Sequence, residues 1–277
     1  MTKLQQTAPP AATDWAPGAG VSLSDLCVRY AGTGRGRRAV PGALAVDGFS
    51  LDVAPGEFVA IVGPSGCGKS TILKVVAGLL APSRGVVKVA SADEPNPRVG
   101  FMFQADALLP WRTATQNVEL AVRLSGDDSK HAGETARRLI DELGLSDAAD
   151  KFPSQLSGGM RKRVALARTI AYRPSVFLMD EPFGALDAQT RIRVGDFCLR
   201  IFDQLRQTVL FVTHDIEEAV ALADRVVVLS ARPARIVSIF DVPLPRPRDY
   251  HNTRFVEGFN DLQRKVWDAL ESGSTHG

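Results

Sequence analysis

The chain has 277 residues, 45% of them hydrophobic, so it can bury a sizeable core in one or two domains. Its 33 basic and 31 acidic side chains give a net charge of +2 and are spread along the chain, which excludes a nucleic-acid footprint. Three distant cysteines, Cys27, Cys67 and Cys198, lack metal-ligand spacing and favour a reducing cytosol. No apolar run reaches membrane-spanning length and no signal-peptide pattern is present, so other chains would have to span any membrane.

The first part of the chain predicts a disordered leader and an antiparallel β-layer. Residues 1–20 are rich in Ala, Pro and Thr and have little to bury. Residues 21–30 alternate apolar and polar side chains, which predicts a strand. Tyr30 ends that strand, and it either stacks on an adenine or is an ordinary strand-end tyrosine. Residues 31–41 are rich in Gly and Arg and indicate a flexible basic loop, and further strands are predicted over residues 49–53 and 85–90.

A phosphate-binding loop is predicted between a buried strand, residues 58–62, and a helical pattern over residues 70–80. The stretch fits G-x-x-x-x-G-K-[ST], whose glycines allow positive φ and let backbone N–H groups surround a phosphate. Lys69 supplies charge for the outer phosphates, and the Ser70 hydroxyl can hold magnesium. Cys67, beside Lys69 and a helix start, is expected to favour the thiolate. The predicted phosphate-binding residues are Gly63, Pro64, Ser65, Gly66, Cys67, Gly68, Lys69, Ser70 and Thr71.

The loop after the next predicted strand carries apolar side chains. Residues 98–104 form a short strand pattern that ends in Gln104, and Leu108–Trp111 follow in a loop. This segment is either packed locally or a docking patch for a partner. Thr113 and Gln116 fit a capping box that opens a helix through Leu124.

Residues 113–173 are mostly helical in pattern and predict a lobe inserted into an α/β frame. A second helix is expected over residues 132–143, and a third over residues 161–172. Ser157 can cap the third helix, and Gly158 and Gly159 leave its first backbone N–H groups accessible. This predicts a second helix N-terminus that can bind an anion. The alternative is a plain capped helix.

Two further strand patterns end in polar side chains. Residues 176–180 are apolar up to Asp180, and Glu181 follows directly. In phosphate-loop ATPases such an Asp holds magnesium, and the adjacent carboxylate can polarise an attacking water. His214 follows the strand pattern of residues 208–213. Because ligands in such sheets lie at the carboxyl ends of strands, His214 can meet a γ-phosphate, whereas a lone His is otherwise usually structural.

The last part of the chain predicts a closing hairpin over residues 225–229 and 235–240. A proline-rich break follows at residues 243–247. An amphipathic helix is expected over residues 251–271, with Phe255, Phe259, Leu262, Val266 and Leu270 on its apolar face.

The order of these motifs resembles the ATP-binding subunits of ABC transporters. The phosphate loop, Gln104, Leu156–Met160, Asp180–Glu181, Gly184–Asp187 and His214 occur in that family's order, and the resemblance covers roughly residues 21–240. Met160 stands where the family usually has Gln. Met160 together with Leu108–Arg112, and also Arg232–Ile236 and Leu244–Arg248, resembles the branch that imports nitrate, sulfonates and taurine.

The resemblance implies an α/β phosphate-loop ATPase core with an antiparallel β-subdomain and an inserted helical subdomain. The ATP-binding domain would cover residues 21–242, and residues 243–277 would form the proline-rich break and C-terminal helix. The implied ligands are ATP and Mg2+, with Ser70, Gln104 and Asp180 at the metal. Tyr30 would stack on adenine, Glu181 would be the catalytic base, and Gln104 and His214 would meet the γ-phosphate.

The resemblance also implies partners. Two copies would pair head to tail, so that Ser157, Gly158 and Gly159 of one copy bind the nucleotide held by the other copy's phosphate loop. The dimer would be peripheral, on the cytoplasmic face of the cell membrane, where it drives permease subunits and, indirectly, an extracytoplasmic solute-binding protein. No nucleic acid is expected.

Three other functions fit parts of the sequence. One is a soluble ABC-type ATPase that is not coupled to transport, and another is a nucleotide-binding scaffold that does not hydrolyse. The third is a small-molecule kinase, which the Ser157 motif disfavours. The presence of both Glu181 and His214 argues against the scaffold.

Overall fold

The computed structural model describes residues 17–32, 42–126 and 131–274. The strands are β1 (Gly20–Arg29), β2 (Leu44–Val53), β3 (Phe58–Val62), β4 (Arg84–Ala90), β5 (Val99–Met102), β6 (Val176–Asp180), β7 (Thr208–Val212), β8 (Arg225–Leu229) and β9 (Ile236–Asp241). The helices are α1 (Lys69–Val76), α2 (Ala114–Leu124), α3 (Ala132–Glu142), α4 (Gly158–Ala171), α5 (Ala188–Leu205), α6 (Ile216–Leu222) and α7 (Phe259–Ser274).

The N-terminal boundary differs from the predicted one. Ala19 is fully buried and its backbone N–H donates to the Ser175 carbonyl at 3.2 Å, and Gly20 already begins β1. Ala19 and Gly20 therefore belong to the fold and not to a disordered leader. Most of the predicted leader and of the basic loop over residues 31–41 lies outside the described residues.

The strands form two sheets. β1 pairs antiparallel with β2 and β4, as the β-layer prediction requires. The larger sheet has the order β5-β6-β7-β3-β8-β9, in which only β9 runs antiparallel to its neighbour. β3, β6 and β7 are buried along their whole length, as expected for central parallel strands covered on both faces.

The two faces of the larger sheet pack against different layers. Phe177 of β6 points into a core shared with α2 to α7, whereas Leu178 points into a core shared with α1, β1 and β2. Phe49 and Ile72 belong to this second core. The fold is therefore α/β, as predicted, and the antiparallel sheet and α1 cover one face of the larger sheet while α2 to α7 cover the other.

Local capping explains the start of α2. The Thr113 side chain accepts from the Gln116 backbone N–H at 3.3 Å, and the Gln116 side chain accepts from the Thr113 N–H at 3.0 Å. Both bonds of the predicted capping box are present, and α2 ends at Leu124 as expected.

The C-terminal helix is shorter than predicted. α7 begins at Phe259 rather than at residue 251, because Gly258 adopts φ +86° and interrupts the helical path. Phe255 lies in a short 3₁₀ turn before it and is 73% exposed, so it is not on the buried face. Phe259, Leu262 and Val266 are buried as expected, and β8 and β9 form the predicted hairpin.

Candidate nucleotide-binding site

The predicted phosphate loop connects β3 to α1. Gly66 and Gly68 have φ of +73° and +131°, and a Cβ on Gly68 would lie 2.7 Å from the Ala45 carbonyl oxygen. Gly63 does not have the positive φ that the pattern suggested. A Cβ on Gly63 would instead lie 3.0 Å from the Leu229 Cβ, so crowding is its constraint. Gly68 precedes the first residue of α1, whose N-terminus favours an anion at the loop.

Lys69 is held at the loop itself. Its side chain is buried, and Nζ donates to the carbonyl oxygens of Gly63 at 2.7 Å and Pro64 at 2.9 Å. An ammonium has three donors, and phosphate oxygens can replace carbonyls as acceptors. The charge is therefore already placed where a phosphate would enter the loop.

The expectation of a Cys67 thiolate is wrong. Cys67 is only 1% exposed, and burial raises the pKa of its thiol by more than the Lys69 charge lowers it. A buried thiol faces the full cost of ionising away from water, which outweighs one neighbouring cation. Cys67 is a packing residue of the loop.

Ser70 and Asp180 meet beneath the loop. The Ser70 hydroxyl donates to Asp180 Oδ1 at 2.9 Å, and Asp180 is 4% exposed. Burial raises the pKa of Asp180, and the Ser70 hydrogen bond partly offsets that rise. A hydroxyl and a carboxylate are hard oxygen donors of the kind Mg2+ prefers, so this pair fits the metal.

Gln104 and His214 both lie against the Glu181 carboxylate. Gln104 Nε2 donates to Glu181 Oε2 at 3.1 Å, and His214 Nδ1 lies 3.4 Å from Glu181 Oε1. Glu181 follows β6, and its backbone N–H donates to the Val212 carbonyl of β7 at 2.9 Å. The sheet order therefore brings three residues that are distant in sequence to one carboxylate.

The Glu181 backbone is strained. Its φ is +47°, a left-handed conformation that costs a non-glycine residue about 1–2 kcal/mol. Strain of this kind persists where the surrounding structure imposes it, and functional sites are a common location. Here it turns the carboxylate out of the strand toward Gln104 and His214.

Tyr30 lies beside the phosphate loop. Its hydroxyl and the Thr71 hydroxyl are 2.9 Å apart, and the side chain is 39% exposed. Thr71 is the last residue of the loop motif, so the Tyr30 ring is near the site although β1 belongs to the other sheet.

Ser157 is separate from this group. Its Oγ accepts from the Met160 N–H at 3.2 Å, which caps α4, and α4 begins at Gly158 rather than at residue 161. The described hydrogen bonds of Ser157 remain within its own helix start. The site therefore gathers the phosphate loop, Gln104, Asp180, Glu181 and His214, and leaves the second helix start apart.

Sequence reasoning missed two buried polar residues that bind the backbone of the segment after β5. Lys162 of α4 is 6% exposed, and burial lowers the pKa of its ammonium. Asn117 of α2 is fully buried and binds the backbone of the loop that contains Trp111. A Lys or Asn at an apolar position of an amphipathic helix indicates a buried polar side chain. The pattern does not show which backbone groups that side chain binds.

Comparison with known proteins agrees with this geometry. The family model described as ABC transporter matches residues 46–184. The chain is 46% identical over 207 residues to an aliphatic sulfonates import ATP-binding protein of Mesorhizobium japonicum, covering 74% of this chain and 76% of that protein. It is also 44% identical over 237 residues to a nitrate import ATP-binding protein of Synechococcus elongatus, covering 82% of this chain and 35% of that protein.

The chain belongs to the ABC transporter family. It resembles the importer branch named from the motifs, as the sulfonate and nitrate relatives show. A solved structural relative is a dimeric ATP-binding cassette in a post-hydrolysis state with ADP and phosphate. It matches with a TM-score of 0.70 at 30% identity, over 80% of this chain and 98% of that one.

Family membership makes this chain an ATP-binding, ATP-hydrolysing subunit. ABC subunits of this kind dimerise and work with a membrane permease. Within the part of the chain that the structure describes, no helix is long and apolar enough to cross a bilayer.

Proposed function

We propose that this chain energises the import of a small anion through a membrane permease by ATP-driven closure of a dimer. The observation that carries the proposal is the convergence of Gln104 and His214 on the Glu181 carboxylate, next to the phosphate loop. The sulfonate and nitrate names of the relatives support a small oxyanion or a related compound as cargo. ATP binding is assigned to the domain predicted over residues 21–242, whose first strand begins at Gly20, with residues 113–173 as the helical part.

Nucleotide binding is assigned to the loop between β3 and α1. The backbone N–H groups of Gly63–Thr71 and the Lys69 ammonium hold the phosphates, and Tyr30 stacks on the adenine. Ser70, Asp180 and Gln104 would hold Mg2+, which neutralises charge on the phosphates when bound. The hard oxygens of Ser70 and Asp180 support this assignment.

Glu181 is proposed as the general base. Its carboxylate takes the proton of the attacking water, and His214 donates to the γ-phosphate as charge develops there. Gln104 holds the carboxylate through Oε2, which leaves Oε1 near His214. Transfer of a proton from the attacking nucleophile to a positioned carboxylate typically contributes about 100- to 10,000-fold to a rate.

The second helix start is assigned to the partner copy. Ser157, Gly158 and Gly159 lie outside the contacts of this chain's own site, so a head-to-tail dimer would give each nucleotide one phosphate loop and one Ser157 helix start. ATP then favours the closed dimer, and hydrolysis removes that preference. The dimer is assigned to the cytoplasmic face of the membrane, and a solute-binding protein to the other side.

The permease contact is assigned to the loop after Gln104. Trp111 is 70% exposed and Pro110 is exposed, while Leu108 packs against the core and fixes the segment. Phe152, which is 42% exposed, follows Lys151, whose carbonyl accepts from the Ala114 N–H at the start of α2 at 2.9 Å. Aromatic anchors of this kind dominate many contacts between proteins.

Single-turnover hydrolysis tests the function. Glu181→Gln keeps the size and the Gln104 contact but removes the base, so it should lower the rate by about 100-fold or more while ATP still binds. Glu217→Gln is a control because Glu217 pairs with Arg254 at 3.0 Å, away from the loop. Near wild-type hydrolysis by Glu181→Gln would remove Glu181 from this role.

An ATPase uncoupled from transport is the other candidate function. Reconstitution with the native permease separates the two. ATP-dependent solute uptake that Glu181→Gln abolishes supports import, whereas hydrolysis without any uptake supports the uncoupled enzyme.

A further inference from the structure

One buried cation links the second helix start to the catalytic group. Lys162 lies in the second turn of α4, five residues after Ser157, and its side chain is 7% exposed. Its Nζ donates to the carbonyl oxygens of Phe103, at 3.2 Å, and of Gln104, in a short bond. The Asp106 carboxylate is 3.8 Å away. The charge is thus directed at the backbone of the loop that carries Gln104.

The same helix holds the rest of that loop. Arg161 Nε donates to the Asp106 carboxylate at 3.1 Å. Arg168 donates to the carbonyl oxygens of Asp106, at 3.1 Å, and Ala107, at 2.6 Å. β5 ends at Met102, and in the described part of the chain the hydrogen bonds from cationic side chains to residues 103–107 come from α4. The position of the loop therefore follows α4.

We propose that Lys162 is a positioning residue that fixes Gln104 against Glu181 and couples it to the helix start at Ser157. Lys162 touches neither the nucleotide loop nor the Glu181 side chain in the described hydrogen bonds, and it acts through the Gln104 backbone. Without its ammonium, two carbonyl groups lose their donor and Gln104 is free to leave the carboxylate.

This role of Lys162 rests on the proposed function and would couple the two nucleotide sites of the dimer. If the Ser157 helix start binds the partner's nucleotide, α4 is fixed when that nucleotide is clamped. Lys162 then transmits this position to Gln104, and so to the base of the other site. The Lys162 ammonium would thus make the position of the base in one site depend on whether the other site holds a nucleotide.

Lys162→Met tests the positioning role because it keeps most of the length of the side chain and removes the donor. The full-length protein should show kcat lowered by about 10- to 100-fold, the range expected when a catalytic group is misplaced by about 1 Å. KM for ATP should stay within about three-fold, since the phosphate loop is untouched. A structural role alone would not produce this split.

Arg163→Met is the matched control. Arg163 is the next residue of α4, and its Nη1 also donates to two backbone carbonyls, those of Leu143 at 2.8 Å and Gly144 at 3.0 Å. That loop carries no residue of the site. Arg163→Met should therefore cost similar stability and leave kcat unchanged.

Two further measurements keep the result decisive. Lys162→Arg retains a donor and should recover at least part of kcat, and binding of a fluorescent ATP analogue shows whether each variant is folded. Equal kcat for Lys162→Met and Arg163→Met, or recovery failing with Lys162→Arg while nucleotide still binds, overturns the proposal. Absence of ATP hydrolysis by the wild-type protein would instead overturn the proposed function.

Discussion

Glu218 is a buried carboxyl in the first turn of α6, close to His214. Thr213 Oγ1 donates to its Oε2 at 2.7 Å, and Arg191 Nε lies 3.7 Å from its Oε1. Burial raises the pKa of Glu218 from 4.5 to about 7, although Thr213 and Arg191 act in the opposite direction. Asp215 adds to the rise, and His214 opposes it.

This raised pKa gives stability a definite pH dependence. Between pH 4.5 and about 7 the folded carboxyl holds a proton that the unfolded one has lost, so its contribution to stability falls as pH rises through that window. Glu218→Gln removes this term. As pH rises through the window, the free energy of unfolding of the variant should therefore increase relative to that of the wild type by on the order of 1.4 kcal/mol for each pH unit.

Denaturant unfolding at several pH values measures the difference between the two proteins. Arg191 keeps a partner in the variant because its Nη1 lies 3.4 Å from Asp215. Glu217→Gln, at the neighbouring and only partly buried position, is the control. A wild-type and variant difference that is constant from pH 5 to 7 would contradict the prediction.

At the scale of elements, Asn117 organises the start of α2 and the loop before it. Its Nδ2 contacts the carbonyl oxygens of Leu109 at 3.2 Å, Arg112 at 3.1 Å and Thr113 at 3.0 Å. Its Oδ1 accepts from the Leu109 N–H at 2.8 Å. One side chain therefore satisfies the backbone of the segment that exposes Trp111.

Asn117→Ala should destabilise the protein by about 2–3 kcal/mol, because it leaves buried backbone groups without partners. Asn117→Asp keeps the acceptor for Leu109 but sets a carboxylate against carbonyl oxygens, so it should cost at least as much. Denaturant unfolding measures both. Gln116→Ala, which removes only one exposed side chain of the capping box, is the control, and equal losses for Asn117→Ala and Gln116→Ala would contradict the prediction.

At the scale of the whole molecule, substitutions of Ser157 distinguish its role as a helix cap from its proposed contact with the partner's nucleotide. Asp and Asn both cap helices about as well as Ser, so Ser157→Asp and Ser157→Asn should unfold at nearly the wild-type temperature. Only Asp adds a negative charge, which would repel a phosphate bound across the dimer.

ATP-dependent dimerisation measures this effect, in a Glu181→Gln background that preserves the nucleotide. Light scattering after size-exclusion chromatography should give a dimer with Ser157→Asn and a monomer with Ser157→Asp. If Ser157→Asp dimerises as readily as Ser157→Asn, the second helix start does not face the partner's nucleotide.

Features that depend only on residues close together in the chain could be predicted from the sequence. The strand, loop and helix around Lys69 follow from apolar spacing and glycine positions, and the capping box at Thr113 needs only three residues of separation. The family was also predictable, because several short motifs in a fixed order are each local. The α/β class and the antiparallel layer were predicted for the same reason.

Features that depend on burial and on strand order could not be predicted, because they arise only when distant parts of the chain pack together. Gln104 and Glu181 are 77 residues apart, and they meet because β5 and β6 are neighbours in the sheet, with β7 placing His214 on the other side of the carboxylate. Cys67 beside Lys69 suggested a thiolate, yet desolvation raises the pKa of its thiol. Sequence shows which charges are adjacent along the chain, but not which of them lose their water or which backbone groups they reach, as at Lys162.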